Sequence, residues 1–415
     1  MNRRATTAAI AVSLASALTL TACGGSGGDS VAADAKQTLT VWAMGTEGEK
    51  LADVAKVYEK ANPNITVKVT PIGWDVAHQK LVAAAAANKL PDVMQMGGSY
   101  ITEFADMGAL EPVDTKTFQE KDYFPAGWKQ GQYDGKTYGV PWYVDTRVLF
   151  YRTDLAKKAG IDKAPATMAE MQQAAEKYQK NAGTKWGFYS QPGGLDTVQS
   201  FYQFLYSAGG QIVTEDGKTV ANSPAAVRAL ENYAGYFKKG LSVKSSRPGY
   251  DVTKDFNNGS VPMFFGGPWL MGLIDDNYPD LKGKWAVTNV PTDKTSGSMA
   301  GGSALTISAD SEHKEAAKKF VTSLTDAKGQ ADWYQRTKDL PANVNAWKSG
   351  ELATDPNMKV WKTQMESAQV SPAQPKWTEI TSKIDTAIEK VVQGKASAKS
   401  ALDEAAQQIE GLVQK

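Results

Sequence analysis

The chain has 415 residues, of which 42% are hydrophobic and 22% charged, and its formal net charge is +1. This composition is typical of a soluble globular protein, and the length exceeds the size at which one hydrophobic core stops growing, so we expect two domains. The balanced charge argues against a nucleic-acid-binding protein, which needs a basic excess or a basic stripe.

Histidine and cysteine are scarce, which limits the chemistry available. His78, His313 and a single cysteine supply neither a zinc-ligand set nor a disulfide pair. The one G-x-S-x-G pattern surrounds Ser26, in the small, polar stretch of residues 24–36 and not in a turn between a strand and a helix, which argues against a Ser-His-Asp hydrolase. We therefore expect no metal, no cofactor and no catalytic residues.

Residues 1–23 have the pattern of a secretory signal peptide. Arg3 and Arg4 precede an apolar run from Ala8 to Leu20, which is shorter than the ~20 apolar residues of a membrane-spanning helix. The paired arginines leave open whether export uses the Sec or the Tat route. Residues 24–36 are small and polar and predict a flexible tether.

The signal ends in Leu20-Thr21-Ala22-Cys23, which resembles the lipobox of bacterial lipoproteins. The resemblance implies that Cys23 becomes the first mature residue and carries diacylglycerol and fatty acyl chains such as palmitate. Two or more acyl chains anchor a protein stably, here at the extracytoplasmic face of the cell membrane. The alternative is an ordinary signal peptide that contains a cysteine by chance.

Strands and helices alternate from Gln37 onward. β-branched residues indicate the first strand, and a helix with apolar residues on one face follows it before Pro63. This order predicts an open parallel sheet covered by helices, in which ligands lie beyond the carboxyl ends of the strands. The predicted strands cover residues 38–42, 65–69 and 92–96, and a second helix covers residues 79–88.

Residues 138–151, YGVPWYVDTRVLFY, combine a turn, a polar aromatic cluster and a buried strand. Such a cluster suits a wall that stacks on a flat polar ring and hydrogen-bonds its edge. The structural alternative is an ion pair between its acid and its arginine, beside two half-buried aromatic residues. The cluster consists of Trp142, Tyr143, Asp145 and Arg147.

A glycine-rich turn at residues 266–268 leads from an apolar strand into a helix that begins near Trp269. The glycines allow the backbone to approach another group closely. Trp269 is therefore either a stacking platform for a ligand or an ordinary packing residue.

The order of several short motifs resembles the extracellular solute-binding proteins (family 1) of ABC sugar importers, of the type that binds maltose and other oligosaccharides. The resemblance covers nearly the whole mature chain. The motifs are Asn62-Pro63, Leu90-Pro91-Asp92-Val93, YGVPW at 138–142, SAGG at 207–210, FNNGSVPMFFGGPW at 256–269 and AGGS at 300–303.

The resemblance implies an α/β architecture, the two-lobe periplasmic-binding-protein fold (type II), in which each lobe is an open sheet flanked by helices. It implies three hinge crossings, near residues 145–147, 298–301 and 340–344. Lobe 1 would then comprise residues 37–145 and 300–341, and lobe 2 would comprise residues 146–299 and 342–415.

The resemblance also implies capture of a sugar, and specifically an oligosaccharide, by a monomer that delivers it to a permease with a cytoplasmic ATPase. Asp145 would accept hydrogen bonds from sugar hydroxyls, Arg147 would hold Asp145 or donate to the sugar, and Trp269 would stack from lobe 2. The further contacts would be Thr46, Glu47, Ser99 and Tyr100 on lobe 1, Gly302 and Ser303 at the hinge, the aromatic residues Trp74, Trp142, Tyr143 and Trp377, and Gln191 in a loop.

Three points stay open at the level of sequence. Ser99-Tyr100 departs from the charged pair that some maltose-binding proteins carry there, which leaves the identity of the sugar open. Glu47 and Asp145 could instead be the acid pair of a secreted glycoside hydrolase. A third reading is a cell-surface lipoprotein that docks other proteins or cell-wall material without transport.

Overall fold

The structure is a computed structural model that describes residues 36–194, 196–245, 250–348 and 350–413. The predicted signal peptide, Cys23 and the tether as far as residue 35 lie outside the described residues. Within those ranges, none of the helices is both long enough and apolar enough to cross a bilayer.

The first part of the chain alternates strands with helices, as the sequence predicts, and a turn of 3-10 helix at Glu120–Asp122 precedes its last helix. Its elements are β1 (Gln37–Met44), α1 (Gly45–Ala61), β2 (Ile65–Ile72), α2 (Trp74–Ala86), β3 (Val93–Gly97), α3 (Gly98–Asp106), α4 (Pro125–Gln130), β4 (Gln132–Tyr133), β5 (Lys136–Thr137) and β6 (Gly139–Asp145).

The second part is mainly helical. Its elements are β7 (Val148–Arg152), α5 (Thr153–Ala159), α6 (Met168–Ala182), α7 (Thr197–Ser207), α8 (Pro224–Lys238), α9 (Val252–Asn257), β8 (Met263–Gly266), α10 (Trp269–Asn277), β9 (Trp285–Thr288) and β10 (Ser298–Met299).

The remaining chain returns to the first sheet and then ends in helices. Its elements are β11 (Gly301–Ile307), α11 (Lys314–Thr325), α12 (Ala327–Thr337), β12 (Leu340–Pro341), α13 (Gly350–Thr354), α14 (Pro356–Glu366), β13 (Ala368–Gln369), α15 (Trp377–Val392) and α16 (Ala398–Glu410).

Lobe 1 is built on a six-stranded sheet with the order β12-β6-β11-β3-β1-β2. β1 runs parallel to β2 and β3, whereas β11 runs antiparallel to both β3 and β6. β6 therefore has the same direction as β1 and β3, and the carboxyl ends of all three strands meet at one edge of the sheet. Side chains that follow these ends face the same space.

Lobe 2 contains a three-stranded antiparallel sheet with the order β8-β7-β9, and its helices supply most of its core. α6, α8 and α15 place large apolar side chains on one face at helical spacing, such as Tyr178, Tyr233 and Ile384, all of them buried. The buried face of α8 includes Leu230, Tyr233 and Phe237.

The chain passes from one lobe to the other between β6 and β7 and again between β10 and β11. The third passage lies later than the expected residues 340–344. The Val344 amide donates to the Asp122 carbonyl (2.9 Å), and the Trp347 ring packs edge-on against Phe124, so residues 342–348 belong to lobe 1. α14 then packs on lobe 2, where the Val290 amide donates to Gln364.

Candidate functional site

A cavity of about 1140 Å³ opens between the lobes at the carboxyl ends of β1, β3 and β6. Lobe 1 lines it with the starts of α1, α2 and α3 and the end of α12. Lobe 2 lines it with the starts of α10 and α15 and with part of α7. Both lobes therefore face one space, which is the arrangement a two-lobe clamp needs.

Most of the predicted ligand-binding residues border this cavity, although they are widely separated in sequence. The structure brings together Thr46, Glu47, Trp74, Ser99, Tyr100, Tyr143, Asp145, Arg147, Trp269, Gly302 and Trp377. Their contact with a ligand remains a prediction.

Three predicted residues do not line the cavity. Trp142 is fully buried and packs against Trp333, with 4.4 Å between ring centroids, because strand alternation turns it away from the face that carries Tyr143. Ser303 is buried, and its hydroxyl donates to the Met96 carbonyl (2.9 Å). Gln191 donates from its amide to the Gly193 carbonyl (3.3 Å) within its own loop.

A hydrogen-bonded chain of side chains forms the floor of the cavity. The Met44 amide donates to Gln95 Oε1 (2.7 Å), Gln95 Nε2 donates to the Tyr143 hydroxyl (3.1 Å), and that hydroxyl donates to Glu47 Oε1 (2.7 Å). The chain ties together the ends of β1, β3 and β6. The other carboxylate oxygen of Glu47, Oε2, takes no part in this chain of hydrogen bonds.

Burial raises the pKa of Glu47, and the Tyr143 hydroxyl opposes that rise. The nearby Asp145 carboxylate raises the pKa of Glu47 further. Glu47 lies in the first turn of α1, where the amino end of the helix favours negative charge. A carboxyl group in such surroundings is suited to hydrogen bonding with hydroxyl groups.

Asp339 is a cavity residue that sequence analysis missed. It is almost fully buried between α12 and β12 and accepts a hydrogen bond from the Trp333 indole (3.1 Å). Burial raises its pKa well above the usual value, and Glu47 and Asp145 raise it further. Nothing in the local sequence distinguishes Asp339 from a surface aspartate, because its burial depends on how α12 packs.

Asp145 and Arg147 form the ion pair that the sequence left as an alternative. Arg147 Nη1 donates to Asp145 Oδ1 (2.8 Å), and the guanidinium lies over the Trp269 ring at 4.8 Å from its centroid. Gly301 makes room for the acid, since a Cβ there would lie 2.1 Å from Asp145 Oδ1. The ion pair borders the cavity, so the two readings of this stretch are compatible.

Trp74 is the most exposed tryptophan on the wall, with 40% of its surface accessible. It begins α2, and its indole lies against Gly45, where a Cβ would be 2.8 Å from Trp74 Cδ1. Gly45 also has a positive φ of 55°, so both the space and the backbone conformation require glycine at this turn. The ring is therefore seated against backbone and presents its remaining surface to the cavity.

The lobe 2 wall contains Asp196, Tyr202 and Leu273, none of which sequence analysis identified. Leu273 is 45% exposed on α10. Asp196 precedes α7 in a left-handed conformation (φ 60°), and its loop is anchored because Asp385 accepts hydrogen bonds from the Asp196 amide (3.0 Å) and the Val198 amide (2.7 Å). These residues reach the cavity through long-range packing and carry no local motif.

Across the part of the chain that the structure describes, no three His, Cys, Asp or Glu side chains are grouped so as to hold a metal ion. His78 is partly buried and pairs with Glu103 (2.7 Å) beside the Tyr100 ring. That pair joins α2 to α3.

Comparison with known proteins gives one consistent result. The model of the bacterial extracellular solute-binding protein family matches residues 43–331. The galactooligosaccharide-binding protein of Bacillus subtilis is 26% identical, over 95% of this chain and 94% of its own length.

Solved structures extend this similarity to the fold. The sugar-binding protein MalE from Xanthomonas citri is 32% identical with a TM-score of 0.80, covering 90% of this chain and 97% of its own. The GacH receptor of Streptomyces glaucescens, solved unliganded and in complex with acarbose, is 26% identical with a TM-score of 0.83, covering 91% and 98%.

Proposed function

This chain belongs to the family of bacterial extracellular solute-binding proteins, and we propose that it captures an oligosaccharide between its lobes and delivers it to the permease of an ABC importer. The wall of the cavity carries the proposal, because aromatic rings and carboxylates from both lobes surround one space. Sugars have apolar ring faces and hydroxyl edges, and this mixture of rings and acids complements both.

The size of the cavity supports an oligosaccharide over a single sugar. Pockets for drug-sized ligands typically measure ~300–1000 Å³, and this cavity of about 1140 Å³ exceeds that range. Two rings on opposite lobes, Trp74 and Trp269, offer places for stacking. The similar proteins that bind galactooligosaccharides or acarbose are in keeping with a ligand of this size.

Capture works through closure of the lobes. A sugar that contacts both walls favours the closed state by its differential affinity for that state. Moving a two-state equilibrium from mostly open to mostly closed takes roughly a 10⁴-fold preference, which contacts from one lobe alone are poorly suited to supply. Glu47 and Asp145 on lobe 1 and Trp269 on lobe 2 would share this work.

The protein acts outside the cytoplasm, as its family implies, and is held at the membrane through Cys23. The sequence Leu20-Thr21-Ala22-Cys23 and the tether after it support this anchor. A monomer would then present the loaded sugar to a permease coupled to a cytoplasmic ATPase. Fractionation of a Cys23→Ser variant tests the anchor, since the variant should leave the membrane; retention without detergent counts against lipidation.

Calorimetry and thermal shift with the mature domain from Gln37 test the capture proposal. The panel is maltose, maltotriose, galactooligosaccharides and acarbose. Tight binding of a panel sugar that is recovered intact supports capture. Release of shorter sugars would support a glycoside hydrolase instead, and a melting temperature that no sugar shifts would favour a docking lipoprotein.

A further inference from the structure

Arg147 lies in the short passage between β6 and β7, and its backbone is fixed to the neighbouring passage. Its amide donates to Ser298 Oγ (3.1 Å), and Ser298 Oγ donates to the Arg147 carbonyl (3.0 Å). The adjacent Thr146 hydroxyl donates to the Met299 carbonyl (2.8 Å). The Arg147 side chain therefore starts from a defined point where two of the interlobe passages meet.

The guanidinium connects a group of lobe 1 with a group of lobe 2. Nη1 donates to Asp145, the last residue of β6, and the same guanidinium covers one face of Trp269, the first residue of α10. The side chains of Arg147 and Asp145 are only 17% and 12% exposed. Ion pairs and cation–π contacts strengthen when water is excluded, so this arrangement is more than an exposed surface pair.

Two glycines leave space for the partners of Arg147. A Cβ at Gly301 would lie 2.1 Å from Asp145 Oδ1, and a Cβ at Gly267 would lie 2.0 Å from Trp269 Cζ3. The carboxylate and the indole each rest where a side chain is missing. Backbone on one side and the guanidinium on another restrict the movement of the Asp145 carboxylate and of the Trp269 indole.

We infer that Arg147 is a positioning residue, which holds Asp145 and Trp269 in the geometry that receives the sugar and does not itself contact the sugar. This inference rests on the proposed function. The guanidinium already contacts one oxygen of the Asp145 carboxylate and one face of the Trp269 ring. The other carboxylate oxygen and the rest of the ring are left for the sugar. Holding both groups before the sugar arrives reduces the ordering cost of binding.

A double-mutant cycle tests whether Arg147 acts through Trp269. Calorimetry is carried out on the wild type, Arg147→Ala, Trp269→Ala and the double variant, with the panel sugar that the wild type binds most tightly. Arg147→Ala should raise Kd at least tenfold, and this factor should fall at least threefold in the Trp269→Ala background because the positioned ring is gone. An unchanged Kd in Arg147→Ala would mean that Arg147 has no role in binding. A factor that falls less than threefold would mean that Arg147 contacts the sugar directly. Either result overturns the inference.

Two further variants complete the test: one replaces Arg147→Ala if that variant does not fold, and the other is a control. Arg147→Lys keeps the charge but lacks the planar guanidinium that lies over the indole, so the same cycle can be run with it if Arg147→Ala does not fold. Arg228→Ala, at an exposed arginine outside the cavity wall, is the matched control and should leave Kd unchanged.

Without any sugar, the fluorescence of Trp269 gives an independent readout. Its contribution is the difference between a protein and its Trp269→Phe derivative. Loss of the guanidinium should change that difference spectrum between the wild type and Arg147→Ala, and an identical spectrum overturns the inference. If no panel sugar binds the wild type, the proposed function fails while this measurement still decides the role of Arg147.

Discussion

For single residues, the face of the strand that a side chain occupies decides whether it borders the cavity. In β6, Tyr143 and Asp145 share one face and line the cavity, whereas Trp142 lies on the other face and is buried against Trp333. The period of two along a strand was available from the sequence. The cluster at residues 142–147 therefore does not form one wall, because this alternation places Trp142 on the opposite face of β6 from Tyr143.

Trp74→Ala and Trp142→Ala should have opposite effects. Trp74 is 40% exposed on the cavity wall, so its loss should raise Kd for the bound sugar at least tenfold and leave the melting temperature nearly unchanged. Trp142 is fully buried, and removing a buried tryptophan costs about 3–5 kcal/mol of unfolding free energy. Calorimetry and urea unfolding of both variants check this, and a stability loss at Trp74 with none at Trp142 would contradict it.

The predictable part of the site follows from strand ends. Glu47 and Ser99 lie in the first turns of the helices that follow β1 and β3, and Asp145 ends β6, so a parallel arrangement alone brings them to one edge. Asp339 and Asp196 could not be found this way. Asp339 reaches the cavity through the packing of α12, and Asp196 through a left-handed turn that Asp385, far away in sequence, anchors.

Among the helices, α7 and α15 are coupled by a buried acid. Asp385 in α15 accepts hydrogen bonds from two amides at the start of α7, where four N–H groups lack partners within the helix. The apolar faces of these helices are visible in the sequence as spaced aromatic and branched residues. The role of Asp385 is not visible in the sequence, because it depends on which helix end the carboxylate faces.

Stability should therefore depend on pH through Asp385. Burial raises its pKa to about 6 from an ordinary value of 3.8. The folded chain then holds the proton more tightly than the unfolded chain, so the unfolding free energy falls as pH rises from about 4 to about 6, by at most about 3 kcal/mol. Above pH 6 this contribution is constant.

Urea unfolding of Asp385→Asn between pH 4 and 7 checks the assignment. The variant cannot ionise, so its unfolding free energy should fall less steeply over pH 4 to 6 than that of the wild type. Glu231→Gln, at an exposed position on α8, is the control and should keep the wild-type slope. Equal slopes in Asp385→Asn and the wild type would contradict the assignment.

Across the whole molecule, the number of interlobe passages followed from the family resemblance, but the position of the third did not. Residues after β12 look like a linker, yet Trp347 packs on Phe124 and its indole donates to the Pro341 carbonyl (2.8 Å). These contacts hold residues 342–348 on lobe 1. A linker-like composition cannot reveal them, since the contact with Phe124 joins residues more than 200 positions apart in the chain.

Closure should respond to an ion pair that spans the lobes. Lys129 at the end of α4 lies 2.5 Å from Glu215, in the lobe 2 loop between α7 and α8. Both side chains are exposed, so the pair contributes little and is screened by salt. Because the pair joins the two lobes, we expect it to bias the equilibrium toward the state in which the lobes are close together.

Charge reversal tests this bias. Lys129→Glu should raise Kd for the bound sugar roughly two- to fivefold at low salt, because two acids then repel across the closing gap. Lys129→Glu with Glu215→Lys should restore affinity, and the difference should vanish near 1 M salt, where charges are screened within ~3 Å. If the swapped pair stays as weak as the single variant, Lys129 acts on the sugar from the cavity wall and the closed state does not depend on the pair.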